Sequence, residues 1–235
     1  MKKITKISLI LLLVGMAVIA AVHFLKEKEA EKKSENGFKE IQESVTDKED
    51  KTINVEKLER ENEDCVGYLE VPGTTISYPI MQTRDNPDYY LKHDFNRNYS
   101  FYGTPYLSAY CDLKKSDNLI IYGHNINGGK MFGALEQYKN KDFFDRHRKI
   151  FFTTDRRRKY EVFAVMSVNI RDFEYWKFVM ARDEKYYDKF VEKVLEHSLW
   201  SAEKKPKYGE QMLMLSTCDN GKGDDWRIVV AGKEI

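Results

Sequence analysis

The sequence predicts a mostly β domain, an antiparallel barrel or sandwich with helices at its periphery. Three observations lead there: seven short runs rich in Val, Ile, Tyr and Phe, turn residues punctuating them, and only two helical stretches inside that pattern. The runs are VGYLEVPG (66–73), ISYPIMQ (76–82), NLIIYGH (118–124), KIFFTTD (149–155), YEVFAVMSVNI (160–170), QMLMLSTC (211–218) and RIVVAGKEI (227–235). The helical stretches are MFGALEQY (131–138) and residues 183–200, where Tyr187, Phe190, Val194 and Leu195 fall on one stripe at helical spacing.

Ahead of this domain the chain changes character twice. Lys2, Lys3 and Lys6 precede ISLILLLVGMAVIAAVHFL (7–25), which contains no Asp, Glu, Lys or Arg. As a helix this run would extend roughly 28 Å, close to the hydrocarbon thickness of a bilayer. It is longer than the usual apolar core of a cleaved signal peptide, which favours an uncleaved anchor. The lysines ahead of it favour a cytoplasmic N-terminus, with everything after Leu25 outside. From Lys26 to Asp64 the composition turns to Lys and Glu, a solvated stalk that Gly37 should interrupt if it is helical. INVEKLEREN (53–62) fits a short amphipathic helix with Val55 and Leu58 inward.

Composition excludes several classes. The 235 residues carry 39 basic and 38 acidic side chains, a net charge of +1, so no global field argues for a nucleic-acid partner. The three cysteines form neither a CxxC pair nor a zinc-like cluster with histidine, so no metal or other cofactor is expected. An odd number leaves at least one thiol free or paired between chains; Cys65 and Cys111 either pair or stand as separate thiols.

Cys218 is the residue to explain, because it closes the apolar run MLMLSTC and opens a polar turn. A structural thiol belongs inside such a run, whereas a reactive one has to reach an edge where a partner can ionise it. Of the five histidines only His124 also ends a strand, in IIYGHNINGG. If the two strands are parallel neighbours their ends meet; the alternative for His124 is a hydrogen-bonded surface residue. Arg227 starts the last strand nine residues after Cys218, so an antiparallel return brings it to the same end. There a permanently charged guanidinium can stabilise an oxyanion, or simply pair with Asp224 or Asp225 at the surface. Ser216 shares the strand face of Cys218 by its spacing, as a cleft hydroxyl or as a small core residue.

The chain closely resembles the class B sortases. The family's nucleophile motif, Thr-Leu-x-Thr-Cys, stands here as MLSTC (214–218), with Leu215, Thr217 and Cys218 matching and Met214 departing from the first position. The likeness continues in VGYLEVPGTTISYPIMQ, YLKHDFNRNYSFYGTPYLSAY and NLIIYGHNINGGKMFGALEQY, and covers roughly residues 62–235. It implies a closed sortase-type β-barrel, an N-terminal helical segment and a helix inserted before the cysteine strand. The implied division is a cytoplasmic N-terminus (1–6), a transmembrane anchor (7–25), a charged stalk (26–61) and the catalytic barrel (62–235).

The resemblance also implies the chemistry. Cys218 would attack the carbonyl after a threonine in a C-terminal sorting motif of a secreted protein, forming a thioester that a peptidoglycan amine resolves. His124 would move the protons and Arg227 would hold the oxyanion or the substrate backbone. Tyr90 and Leu91 would form part of the groove wall. Ser216, Thr217, Asp219, Tyr175 and Trp176 are further candidates for substrate contact. Two other functions compete: a papain-like cysteine peptidase or cell-wall amidase, and a non-catalytic membrane-tethered module that binds the wall. The order His, Cys, Arg, with the cysteine ending a strand, argues against the peptidase.

Overall fold

The computed structural model describes the backbone of residues 2–47 and 52–235, and the side chains of 12–47 and 52–235. The chain forms two compact units, residues 1–41 and 42–235. Helix α1 runs continuously from Lys2 to Val45. The expected break at Gly37 is absent, because one glycine costs a helix only about 1 kcal/mol and contacts such as Lys28 to Glu31, 2.8 Å, support the same stretch.

The expected single-pass anchor over 7–25 is overturned: among the described residues no helix is long and apolar enough to cross a membrane. The side chains of 2–11, including Lys2, Lys3, Lys6 and the start of the apolar run, lie outside the described residues. The remainder of the run, 12–25, would extend about 21 Å as a helix, short of a hydrocarbon core of roughly 30 Å. The expected placement in the cell membrane, with residues 1–6 cytoplasmic and the catalytic domain extracellular, falls with it.

The second unit begins with α2 (Val55–Glu61), capped where the Asn54 side chain accepts from the Lys57 amide at 3.0 Å. Val55 and Leu58 are buried, as the amphipathic pattern predicts. Eleven strands follow among the described residues: β1 (Cys65–Glu70), β2 (Ser77–Met81), β3 (Tyr106–Leu107), β4 (Asn118–Tyr122), β5 (Asn125–Ile126), β6 (Lys130–Met131), β7 (Lys149–Thr153), β8 (Arg157–Asn169), β9 (Ser198–Ser201), β10 (Met212–Cys218) and β11 (Trp226–Glu234). The main sheet runs β11-β10-β4-β3-β2-β1-β7-β8-β9, and β11 also pairs with β8. That extra pairing closes eight strands into a barrel and leaves β9 outside it. The choice between barrel and sandwich is thereby settled. Closure leaves β8 and β11 no free edge along their shared length.

The two expected helices differ in detail. Residues Phe132–Lys139 form a 3-10 segment, which packs on β10 and β11 and is followed by α3 (Lys141–Arg146). The second helix, α4 (Glu184–Glu196), is capped by Asp183 and ends four residues before Trp200. Residues 198–201 instead become β9, with Trp200 opposite Val165, because the outer edge of β8 offers a hydrogen-bonding partner that a longer helix would forgo.

Helix α4 holds on through aromatic packing: Phe190 lies parallel to Phe178 with centroids 3.8 Å apart and also meets Phe173. Phe190→Ala is expected to cost about 3 kcal/mol, read as a lower urea midpoint at unchanged m-value. A midpoint equal to that of the unmodified chain would show that α4 does not depend on this stack.

Candidate active site

Cys65 and Cys111 are separate buried thiols, and burial pushes them up to about 12 and about 11 respectively. Neither is available for chemistry. Cys218, in contrast, is exposed at the last position of β10, whose other six residues are all buried. The strand stops there because the chain turns: the Asp219 amide donates to the Trp226 carbonyl at 2.9 Å, and Asn220 to Asp225 lead back into β11.

Register brings the other two residues to the same end. In the antiparallel β10–β11 pair Cys218 stands opposite Arg227, so both side chains leave one face of the barrel on a single rung. Strand β4 lies parallel to β10 on its other side, with Tyr122 opposite Ser216. Two residues on, His124 therefore reaches the level of Cys218. Side chains reinforce the junction: Thr217 Oγ1 donates to the Gly123 carbonyl at 2.7 Å, and Asn125 Nδ2 donates to the Cys218 carbonyl at 2.7 Å.

His124 is half-buried. Its Nε2 lies 2.7 Å from the Leu91 carbonyl, an acceptor, so Nε2 carries the proton and Nδ1 keeps a lone pair while the ring is neutral. Phe101, 66% exposed, lies parallel to the imidazole with centroids 6.3 Å apart. Burial lowers the imidazole pKa from the ordinary 6.5, the Leu91 bond opposes the shift, and Lys92 adds to it. The folded value thus lies below the unfolded one, so the unfolded chain binds more protons as the pH drops. The stability that His124 contributes is complete above about pH 6.5 and is lost as pH falls through the folded pKa. Between pH 7 and 5 the thermal midpoint should fall more steeply for the unmodified chain than for His124→Gln. Parallel curves would mean that the imidazole titrates alike in both states.

Arg227 is half-buried, and its Nη1 donates to the carbonyls of Asp224, 2.6 Å, and Trp226, 2.9 Å. The surface ion pair considered for it is absent among the described residues: Asp225 pairs with Arg171 at 2.7 Å, and Asp224 meets Arg227 through its backbone. Among the described residues no carboxylate compensates the guanidinium, which stands opposite the cysteine. Tyr175 reports on both neighbours. Burial first, opposed by its bond to Ser216 and by the Arg227 charge, and reinforced by Cys218, brings its phenol up to about 12.

The remaining candidates fall into two groups. Ser216 is buried and meets the Tyr175 hydroxyl at 2.7 Å, one layer below Cys218, and Thr217 is buried against Gly123. Trp176 is half-exposed, edge-on to Tyr175. Leu91 is half-buried and offers His124 its carbonyl. Tyr90 points inward: its hydroxyl donates to Asp64 at 2.8 Å and accepts from Asn62 at 2.8 Å. Asp219 is fully buried and accepts from Lys139 at 2.7 Å and Ser167 at 2.6 Å. Its burial disfavours the charge, but those donors and the Lys139 ammonium outweigh it and hold the carboxyl below its usual range.

Comparison with known proteins identifies this arrangement. The sortase domain family matches residues 69–235. Sortase B of Listeria monocytogenes is 32% identical over 185 residues, 76% of this chain and 72% of that protein. The chain belongs to the class B sortases. Sortase B of Staphylococcus aureus is 30% identical over 184 residues, 77% of this chain and 74% of that protein. The structure of a Staphylococcus aureus sortase B–substrate complex superposes with a TM-score of 0.78 at 25% identity, covering 87% of this chain and 97% of that one. The sortase is accordingly a cysteine transpeptidase. Sequence reasoning passed over Asn125, Glu136, Lys139 and Ser167, which surround Cys218 and Asp219. Asn125 had one local signal, its place directly after His124.

Proposed function

We propose that this sortase cleaves a C-terminal sorting motif of secreted proteins after threonine and transfers the acyl group to a peptidoglycan amine. The catalytic unit is residues 62–235. The observation that carries the reading is the rung on which an exposed thiol, Cys218, faces Arg227, a guanidinium with no carboxylate partner among the described residues. Cys218 passes its thiol proton to His124 as the sulfur adds to the threonine carbonyl, and Arg227 stabilises the oxyanion that forms. Collapse of that intermediate expels the amine of the following residue, which takes a proton from His124 and leaves a thioester on sulfur. The incoming amine gives a proton to His124 as it attacks the thioester, and the departing Cys218 sulfur takes that proton as the C–S bond breaks. Amide is exchanged for thioester and then for a new amide, so acyl activation is conserved and no ATP is needed.

Substrate contacts follow from the same placement. Leu91 and Trp176 border the rim, while Ser216, Thr217 and Tyr175 support the floor beneath the sulfur. Tyr90 and Asp219 act from behind it, by holding the walls in place. The similar Staphylococcus aureus sortase B was solved as a substrate complex, which supports a substrate site on this fold. Water resolves the thioester where no amine is present, giving a hydrolytic side reaction.

A peptide-library assay on the full chain, with and without a soluble amine acceptor, tests the reading. The expected result is a Cys218-linked acyl-enzyme by mass spectrometry, with new amide product once the amine is added. Cleavage without any covalent intermediate would refute it.

A further inference from the structure

Cys218 ends β10 and His124 lies in the link between β4 and β5, so something has to fix their separation to a fraction of an ångström. Resting on the reading that these two residues do the chemistry, we propose that Asn125 and Lys139 are positioning residues that lock the Cys218 strand end to the link that carries His124.

The lock is built on the Phe132–Lys139 segment. At its start the Phe132 amide donates to the His124 carbonyl at 2.9 Å. The Phe132 ring lies against Gly123 so closely that a Cβ there would come within 2.7 Å of it, and a Cβ at Gly133 would run into the Ile126 carbonyl. The segment is thus seated directly on the loop that carries the imidazole. At its other end Lys139 Nζ reaches Asp219 Oδ1 and Glu136 Oε2, each at 2.7 Å. The second oxygen of Asp219 takes the Ser167 hydroxyl of β8 at 2.6 Å. Asp219 follows the nucleophile in sequence and is fully buried, so its carboxylate depends on these donors.

Asn125 joins the two ends. Its Nδ2 donates to Glu136 Oε1 at 2.8 Å and to the Cys218 carbonyl at 2.7 Å. The residue after His124 therefore holds the backbone of Cys218, and the residue after Cys218 is held by Lys139. Both holds meet at Glu136 and Lys139. A buried ion pair of this kind is weak evidence for stability and in some proteins serves to fix register, and misplacement of about 1 Å can cost on the order of 100-fold in rate. The effect belongs in kcat, because these bonds hold the catalytic backbone and not the peptide.

The test measures kcat and KM of the full chain on a sorting-motif peptide, normalised to Cys218 titratable by excess thiol reagent. Asn125→Ala is expected to lower kcat by about 10- to 100-fold with KM within about 3-fold. Lys139→Met is expected to do at least as much, and Lys139→Arg, which keeps the charge, to recover most of it. Because Lys139→Met strands a buried carboxylate and can fail to fold, Asn125→Ala carries the decision. A normalised kcat within 2-fold for Asn125→Ala, beside an inactive Cys218→Ala, would overturn the positioning role and leave the catalytic reading standing. An active Cys218→Ala would overturn that reading and this inference with it.

Discussion

Cys218→Ala is expected to abolish acyl-enzyme formation and to lower transpeptidation by on the order of 10⁴-fold or more, while the barrel stays folded. The two halves of that result have separate causes. Without sulfur no thioester forms, and water cannot take its place as a carrier of the acyl group. Stability is spared because the side chain is exposed at a strand end and packs against little. Such a change belongs with surface substitutions, within about 0.5 kcal/mol, or about 2 °C in thermal midpoint. Labelling with a thiol-reactive sorting-peptide analogue, run beside a thermal melt, checks both at once. A collapsed melt would mark the thiol as structural. Persisting turnover would move the nucleophile elsewhere.

Arg227→Lys is expected to lower kcat by about 100- to 1,000-fold, the loss seen when one oxyanion donor is removed. The substitution keeps the charge and most of the stem, so only the planar fork is lost. That fork matters here because Nη1 is already committed to the Asp224 and Trp226 carbonyls. A guanidinium can spend one nitrogen on the turn and still present others to substrate, whereas an ammonium concentrates its charge and donors on a single atom. The peptide-cleavage rate of the variant, with acyl-enzyme accumulation followed by mass spectrometry, reads the effect. Near-normal rates would remove Arg227 from the oxyanion role.

Parts of the fold were legible because their signals are local. The strands of the barrel announced themselves by runs such as NLIIY and MLMLSTC, and α2 by the inward spacing of Val55 and Leu58. Strands β3, β5 and β6, two residues each, leave no such pattern. Residues 198–201 read as the end of α4 because what makes them a strand is the edge of β8, which lies some thirty residues back in sequence. Gly37 misled for the converse reason: a local breaker was outweighed by the helix around it.

The candidate site divides in the same way. Cys218, His124 and Arg227 could be picked out because each stands where an apolar run meets a polar turn. Nothing local distinguishes Asp219 as a buried anion or Tyr90 as an inward-facing phenol. Their partners, Lys139 and Ser167 for one and Asn62 with Asp64 for the other, come from distant stretches of chain.

By itself, then, the sequence determined the β character of the domain, its helices' amphipathic faces and the family motif around the cysteine, all properties of contiguous residues and their periodicity. Only the tertiary structure decided that eight strands close through β8 and β11, that Asp225 takes Arg171 while Arg227 bonds to backbone carbonyls, and that Asn125 and Lys139 bracket the cysteine. Those outcomes depend on strand register and on competition among nearby charges, and both are set only once distant segments have packed.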